Sequence, residues 1–343
     1  MNTAVGASAL DANTTGVQNT AVGASALTDC TTAGGITAIG AAALNSLTTG
    51  AGNTAVGYLA SEECTTGTNN TSVGFEANQE TTTGSNNTAV GYQALTANTT
   101  GYSNVAVGAL TCDASTTAHG LTCVGQGAGG AITTGIDNTC IGYVSGSAIT
   151  TGTKNTVMGV SAGDVITTGT NNTIIGFAAD PSANDGTHQN VLGNQVTGSG
   201  NSTFTFGSGS DDTTCSNGGT TWSAPSDERM KEEITTSIAG LSFINDLRPV
   251  TFKWKKEKDI PSNLSSYVED SEKRYKTDLT EHGFIAQEVK AVIDAHSEIK
   301  DGFDMWKEDD KDGRQRIGDG ALMPILVKAV QELSAKVTAL EAG

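Results

Sequence analysis

The sequence predicts a mainly β protein in two parts: a solenoid of twelve seventeen-residue repeats, then a small α+β domain ending in a heptad-patterned helix. Three observations predict it. A glycine recurs at Gly6, Gly23, Gly40, Gly57, Gly74, Gly91, Gly108, Gly125, Gly142, Gly159, Gly176 and Gly193, at one period of seventeen and without an insertion. The 343-residue chain is 16% charged and 5% aromatic with 43 glycines, which leaves too few large apolar side chains for a globular interior of that length. Charge is also divided along the chain. Residues 1–225 hold 13 acidic side chains and one basic, Lys154, whereas residues 226–343 hold 24 acidic and 18 basic.

A fixed period of this kind signals one structural unit stacked on itself. Low charge with low hydrophobicity would otherwise suggest disorder, but disorder gives no reason for a strict register. The residue before each marker glycine is apolar (Val5, Val22, Ile39, Val56, Val73, Val90 and onward to Leu192) and is expected to be a core column. One step earlier the column is small, from Ala4 and Ala21 to Ala106, then Cys123, Cys140, Val157, Ile174 and Val191. Neighbours on a strand face opposite ways, so both faces need shielding. A solenoid has one inside, so the second face calls for another chain, and the small column is expected to let chains approach closely.

The other slots supply turns and ladders. Ten of eleven segments between markers carry Thr at the slot of Thr15, and nine of eleven carry Gly in the slot after it, as in Thr49-Gly50, where a bend with positive φ is expected. Asn fills nine of twelve slots ahead of the strand, including Asn19, Asn53, Asn70, Asn87 and Asn172, and stacked Asn side chains can bond one another and turn backbone. At the β spacing of about 4.8 Å, twelve copies make a rod of roughly 55 Å. The repeats open in mid-phrase, MNTAVGASAL, which predicts an anchoring segment ahead of them.

The phrase Asn-Thr-Ala-Val-Gly-Tyr-x-Ala, at Asn53 to Ala60 and Asn87 to Ala94, resembles the repeats of phage tail-fibre proteins and the head repeats of trimeric bacterial adhesins. The resemblance implies a left-handed parallel β-roll with three chains side by side. Residues 1–207 are thus expected to be a shaft, and 208–225, rich in Gly, Ser, Thr and Asp, a linker or degenerate last coil.

The region 226–343 opens with Ser226-Asp227-Glu228-Arg229-Met230-Lys231. A short helix is expected through Ile238, Leu241, Ile244 and Leu247, then a strand with Val250, Phe252 and Trp254 on one face. His282-Gly283-Phe284-Ile285-Ala286-Gln287-Glu288-Val289 leads into a second helix, and Met323, Leu326, Val330, Leu333, Val337 and Leu340 give a third helix with heptad spacing. These motifs together resemble the C-terminal intramolecular chaperone of endosialidases and many phage fibres. The resemblance implies a domain that trimerises the fibre and then cuts itself off, with Ser226 as nucleophile, Lys231 as base and the bond Pro225–Ser226 cut. Asp227, Arg229 and His282 are possible accessories. A lysine serves as base when burial disfavours its charge. Five residues apart, the two lie about 140° apart on a regular helix, so a bend is needed. Without the resemblance, Ser226 and Asp227 read as a helix cap and Lys231 as a solvated side chain.

The resemblances imply a homotrimer in a virion, assembled in the host cytoplasm, with a host-surface receptor and other tail or fibre proteins as partners. No cofactor or metal is expected: the six cysteines form no framework, and His119, His188, His282 and His296 no cluster. Cys123 and Cys140 share a column in adjacent coils, where stacked thiols are the expected outcome, and Cys30 and Cys64 lie two coils apart. A net charge of −18 argues against nucleic-acid binding, and no apolar run is long enough to span a membrane. The alternatives are a bacterial surface adhesin or an ice-binding β-solenoid without peptidase activity. Adjacent pairs such as Thr48-Thr49 do not give the Thr-x-Thr alternation expected of an ice face. A polysaccharide-degrading solenoid needs paired carboxylates in a cleft, and those of the repeats are scattered, Glu62-Glu63 apart.

Overall fold

The computed structural model describes residues 1–299, 305–309 and 312–342. They form two compact units, Met1–Asp227 and Glu228–Gly343.

In the first unit each copy of the repeat contributes one short strand, from β1 (Thr3–Val5) to β12 (Asn190–Asn194), and the strands stack in chain order as a parallel sheet. Every residue pairs with its counterpart one period on, as in Thr54↔Thr71, Ala55↔Ser72 and Val56↔Val73. The two apolar columns divide the inside from the outside. Ala21, Ala38, Ala55, Ser72, Ala89, Ala106, Cys123, Cys140, Val157, Ile174 and Val191 are buried within the coil. The Val/Ile column, expected to be core, instead forms the outer face of the sheet: Ile39, Val124, Met158 and Leu192 are exposed, and Val22, Val56 and Val73 half-buried. The small column is therefore small because it fills a narrow interior, and it is not a surface along which chains approach.

Glycine keeps the coils in register for two distinct reasons. The twelve marker glycines have φ between +128° and +144°, a region closed to other residues by their Cβ. The glycines after Thr differ from expectation, since Gly50, Gly67 and Gly84 do not have positive φ. Their requirement is steric: a Cβ on Gly67 would collide with the Gly84 carbonyl of the next coil.

Two polar ladders run through the stack. In the slot ahead of the strand, a buried Asn ties two coils together. Asn53 Oδ1 accepts from the Asn70 N–H at 2.8 Å, and Asn53 Nδ2 donates to the Gly67 carbonyl at 2.8 Å. The pattern repeats at Asn70, Asn87 and Asn155, so amides taken out of water keep their partners. The first Thr of each pair forms the second ladder: Thr48 Oγ1 donates to the Thr65 carbonyl at 3.0 Å and Thr65 Oγ1 to that of Thr82 at 3.0 Å.

Inside the coil, residues eleven apart on successive turns meet. Ser61 and Ser72 share a hydrogen bond of 2.6 Å, and at the corresponding positions Cys112 and Cys123 form a disulfide. Cys30, Cys64, Cys140 and Cys215 are buried free thiols. Burial pushes Cys64 up to about 11 and Cys140 up to about 12, which leaves both unreactive.

Part of the expected linker, 208–225, is β structure. After β12, β13 (Thr203–Ser208) adds one more parallel strand, and β14 (Asp211–Ser216) turns back antiparallel to it. An aromatic cluster accompanies the difference: Phe204 and Phe206 of β13 and Trp222 pack edge to face at 5.3–6.1 Å, on the outer side of the sheet.

The second unit is a small α+β domain. It comprises α1 (Leu241–Asp246), β15 (Val250–Phe252), β16 (Glu281–Gly283), α2 (Ala286–Ala295), β17 (Trp306–Glu308), β18 (Gln315–Ile317) and α3 (Leu322–Glu341). β15 pairs antiparallel with β16, and β17 with β18. Phe243, Val289, Ile293, Met305, Leu322 and Ile325 form the core. The Glu332 carboxylate of α3 accepts from the Leu241 N–H at 2.9 Å, satisfying an orphan donor at the start of α1.

α3 carries two apolar stripes. Leu322, Ile325 and Ala329 are buried in the domain. The heptad residues Met323, Leu326, Val330, Leu333, Val337 and Leu340 are the other stripe, and all are exposed.

Candidate functional site

The stretch that carries the expected chemistry follows the hairpin. Pro225 and Ser226 are exposed, and Asp227 is half-buried. A single turn of 3₁₀ helix, Glu228–Met230, comes next, closed by the Lys231 N–H donating to the Glu228 carbonyl at 3.0 Å. Arg229 and Lys231 are exposed, and beyond Lys231 the chain has no regular structure until α1. No regular helix therefore runs from Ser226 to Lys231. Ser226 is the last residue but one of the first compact unit, and Lys231 lies in the second. His282 is exposed on β16, opposite Thr251 on β15, and lines a small surface hollow with Pro249, Val250 and Phe284.

A larger groove, of about 730 Å³, opens elsewhere in the second unit. Its floor is apolar, from Phe252, Ile260, Leu264, Phe284 and Ile317, with Trp254 and Tyr275 beside them. Around it stand Lys253, Lys255, Lys276, Arg314 and Arg316, and no carboxylate among the described residues lines it. The strand alternation of β15 and the residues after it produces this arrangement, with Phe252 and Trp254 half-buried and Lys253 and Lys255 exposed. Lys276 Nζ lies 4.5 Å from the centre of the Trp254 ring, whose Nε1 donates to Glu281 Oε2 at 3.0 Å. Arg316 is held by Asp309 at 2.7 Å, while Lys253 and Lys255 make no ion pair among the described residues. Tyr275 is held below the usual phenol range by its hydroxyl contact with Ser266 and by the nearby Arg314 guanidinium.

Sequence reasoning missed this groove. Its lining comes from five separate stretches, and only the Lys-Trp-Lys alternation hinted at it. It also missed the Cys112–Cys123 disulfide, whose signal was the eleven-residue offset.

Among the described residues no group of three or more His, Cys, Asp or Glu side chains is placed to hold a metal ion. No helix among them is long and apolar enough to cross a membrane.

Comparison with known families gives one match: the family described as chaperone of endosialidase covers residues 226–298 and begins at Ser226. No curated protein and no solved structure matches the chain.

Proposed function

We propose that the chain is the distal part of a phage tail fibre: a trimeric β-solenoid shaft whose C-terminal domain aligns three copies and then severs itself at Pro225–Ser226. The observation that carries this reading is the chaperone-of-endosialidase match, which starts at Ser226, next to the hairpin that closes the shaft. Two apolar surfaces left uncovered in the single chain support the trimer: the outer Val/Ile column and the heptad stripe of α3.

The cut proceeds in two balanced steps. Ser226 Oγ attacks the Pro225 carbonyl carbon while its proton passes to a neutral Lys231 amine, and the peptide C–N bond breaks as that proton reaches the Ser226 nitrogen. An ester then joins Pro225 to Ser226 Oγ. Water hydrolyses it to a Pro225 carboxylate and the free hydroxyl. Lys231 is exposed in the single chain, so the desolvation that neutralises it comes from assembly, and cleavage follows trimerisation. Each chain reacts once, and no turnover on added peptides is expected. A host-surface receptor and other tail or fibre proteins are the partners this reading assigns, in a virion assembled in the host cytoplasm.

Denaturing mass measurement of freshly expressed protein is the test. The wild type should give two fragments split between Pro225 and Ser226, and Ser226→Ala and Lys231→Ala should each give intact chain that still sediments as a trimer. Cleavage persisting in Lys231→Ala would remove the lysine from the mechanism.

A further inference from the structure

Between the 3₁₀ turn and α1 the chain exposes apolar side chains that a folded domain normally covers. Met230 is 62% exposed, Ile234 63% and Ile238 77%. Met230 belongs to the 3₁₀ turn and Glu233 has φ +54°, so the chain bends between them, and Ile234 and Ile238 follow in the irregular stretch beyond the bend. Glu232 and Glu233 are exposed beside them, as are Glu228, Arg229 and Lys231. The segment thus combines apolar anchors with three carboxylates and two cations. The groove complements Ile234, Ile238 and the two carboxylates beside them: an apolar floor next to Lys253, Lys255 and Lys276, with no carboxylate among the described residues that line it, in a chain whose net charge is −18. None of residues 228–238 lines the groove of their own copy.

We propose that in the assembled protein the segment 228–238 of one copy lies in the groove of a neighbouring copy. Ile234 and Ile238 then sit on the Ile260, Leu264 and Phe284 floor, and Glu232 and Glu233 face Lys253, Lys255 and Lys276. This rests on the trimeric reading and adds the contact that couples assembly to the cut. The segment begins two residues after Ser226 and contains Lys231, so seating it in a neighbour fixes the backbone on which both stand. The exchange also distinguishes a neighbour of the same sequence from other acidic chains, because apolar spacing and charge must match together.

Cysteine pairs test the contact in the full-length chain with Ser226→Ala, which keeps it intact. Ile234→Cys combined with Leu264→Cys, treated with a short bismaleimide, should give covalent dimers and trimers on denaturing electrophoresis, and either single cysteine should give neither. Adding Lys253→Glu and Lys255→Glu should lower that yield at least fivefold, as should adding Glu232→Lys and Glu233→Lys instead, and co-expressing the two charge-reversed chains should recover it. A wild-type chain that sediments as a monomer overturns the trimeric reading and this contact with it. An associated wild type whose cysteine pair links only within one chain, or not at all, overturns the contact alone. Cross-linking that is indifferent to both charge reversals overturns the charge pairing on which the assignment stands.

Discussion

Asp180 is the residue at which the shaft departs furthest from its own pattern. It stands in the slot that Leu27, Leu44 and Leu95 fill, and its Oδ1 is buried without a hydrogen-bond partner. Burial, with the Asp164 carboxylate beside it, pushes its pKa up to about 6. A carboxyl raised in the folded state stabilises the fold fully below its unfolded pKa, about 4, and that contribution is lost as the pH rises through about 6. The melting temperature of the wild-type shaft should therefore fall between pH 4 and pH 7 by more than that of Asp180→Asn, which cannot ionise. Thermal unfolding followed by circular dichroism checks this, and equal pH dependence in the two proteins would refute it. The same scale explains a misreading of the repeat. Gly67 was legible as obligatory, but sequence cannot separate a residue that needs positive φ from one that must admit the next coil's carbonyl.

Among the elements, α3 shows how one helix serves two partners. Its inner stripe is built from Leu322, Ile325 and Ala329, and its outer stripe from the heptad residues. The heptad was read correctly from spacing, yet spacing alone does not say whether such a stripe faces its own domain or another copy. The packing against α1 shows that the stripe does not face its own domain, because α1 uses the other face. Val330, 65% exposed, and Ile325, 5% exposed, separate the two roles. Val330→Glu should leave the domain folded and abolish association in sedimentation, since a charge in a coiled-coil seam is unfavourable. Ile325→Ala should lower stability by about 2–5 kcal/mol in chemical denaturation through the cavity it leaves. Loss of folding in Val330→Glu would contradict the two-faced helix. The repeat strands, α2 and β15 were likewise legible from periodicity. The hairpin of β13 and β14 was not, because Gly, Ser and Thr dominate it and a few distant aromatic residues fix it. The groove was hidden for a related reason, being assembled from residues far apart in sequence.

At the scale of the whole molecule, the coils pose an alignment problem. Strands paired by period seventeen pair nearly as well when shifted by seventeen between chains, so three shafts in the proposed trimer would have many competing registers. A C-terminal domain that brings three chains together at one end removes that ambiguity before the shafts associate. A gene lacking residues 226–343 should accordingly yield aggregated shaft, measured as soluble yield against the full-length chain. Efficient refolding of the shaft alone after denaturation would contradict this.

The filling of the coil sets a limit on that ambiguity within one chain. Where the inner strand residue is Ala, as at Ala21 and Ala38, the slot four after the marker glycine carries Leu27 and Leu44; where it grows to Cys140 and Val157, that slot becomes Gly146 and Gly163, at which a Cβ would strike those side chains. Bulk has passed from one wall of the interior to the other along the stack. The copies read as synonyms in their strands and glycines, but they are spelled differently inside. A shaft shortened or lengthened by a whole repeat keeps its outer lattice, yet at the splice two large walls meet or two small ones do. The grammar of the repeat permits any number of copies, whereas the interior prescribes their order.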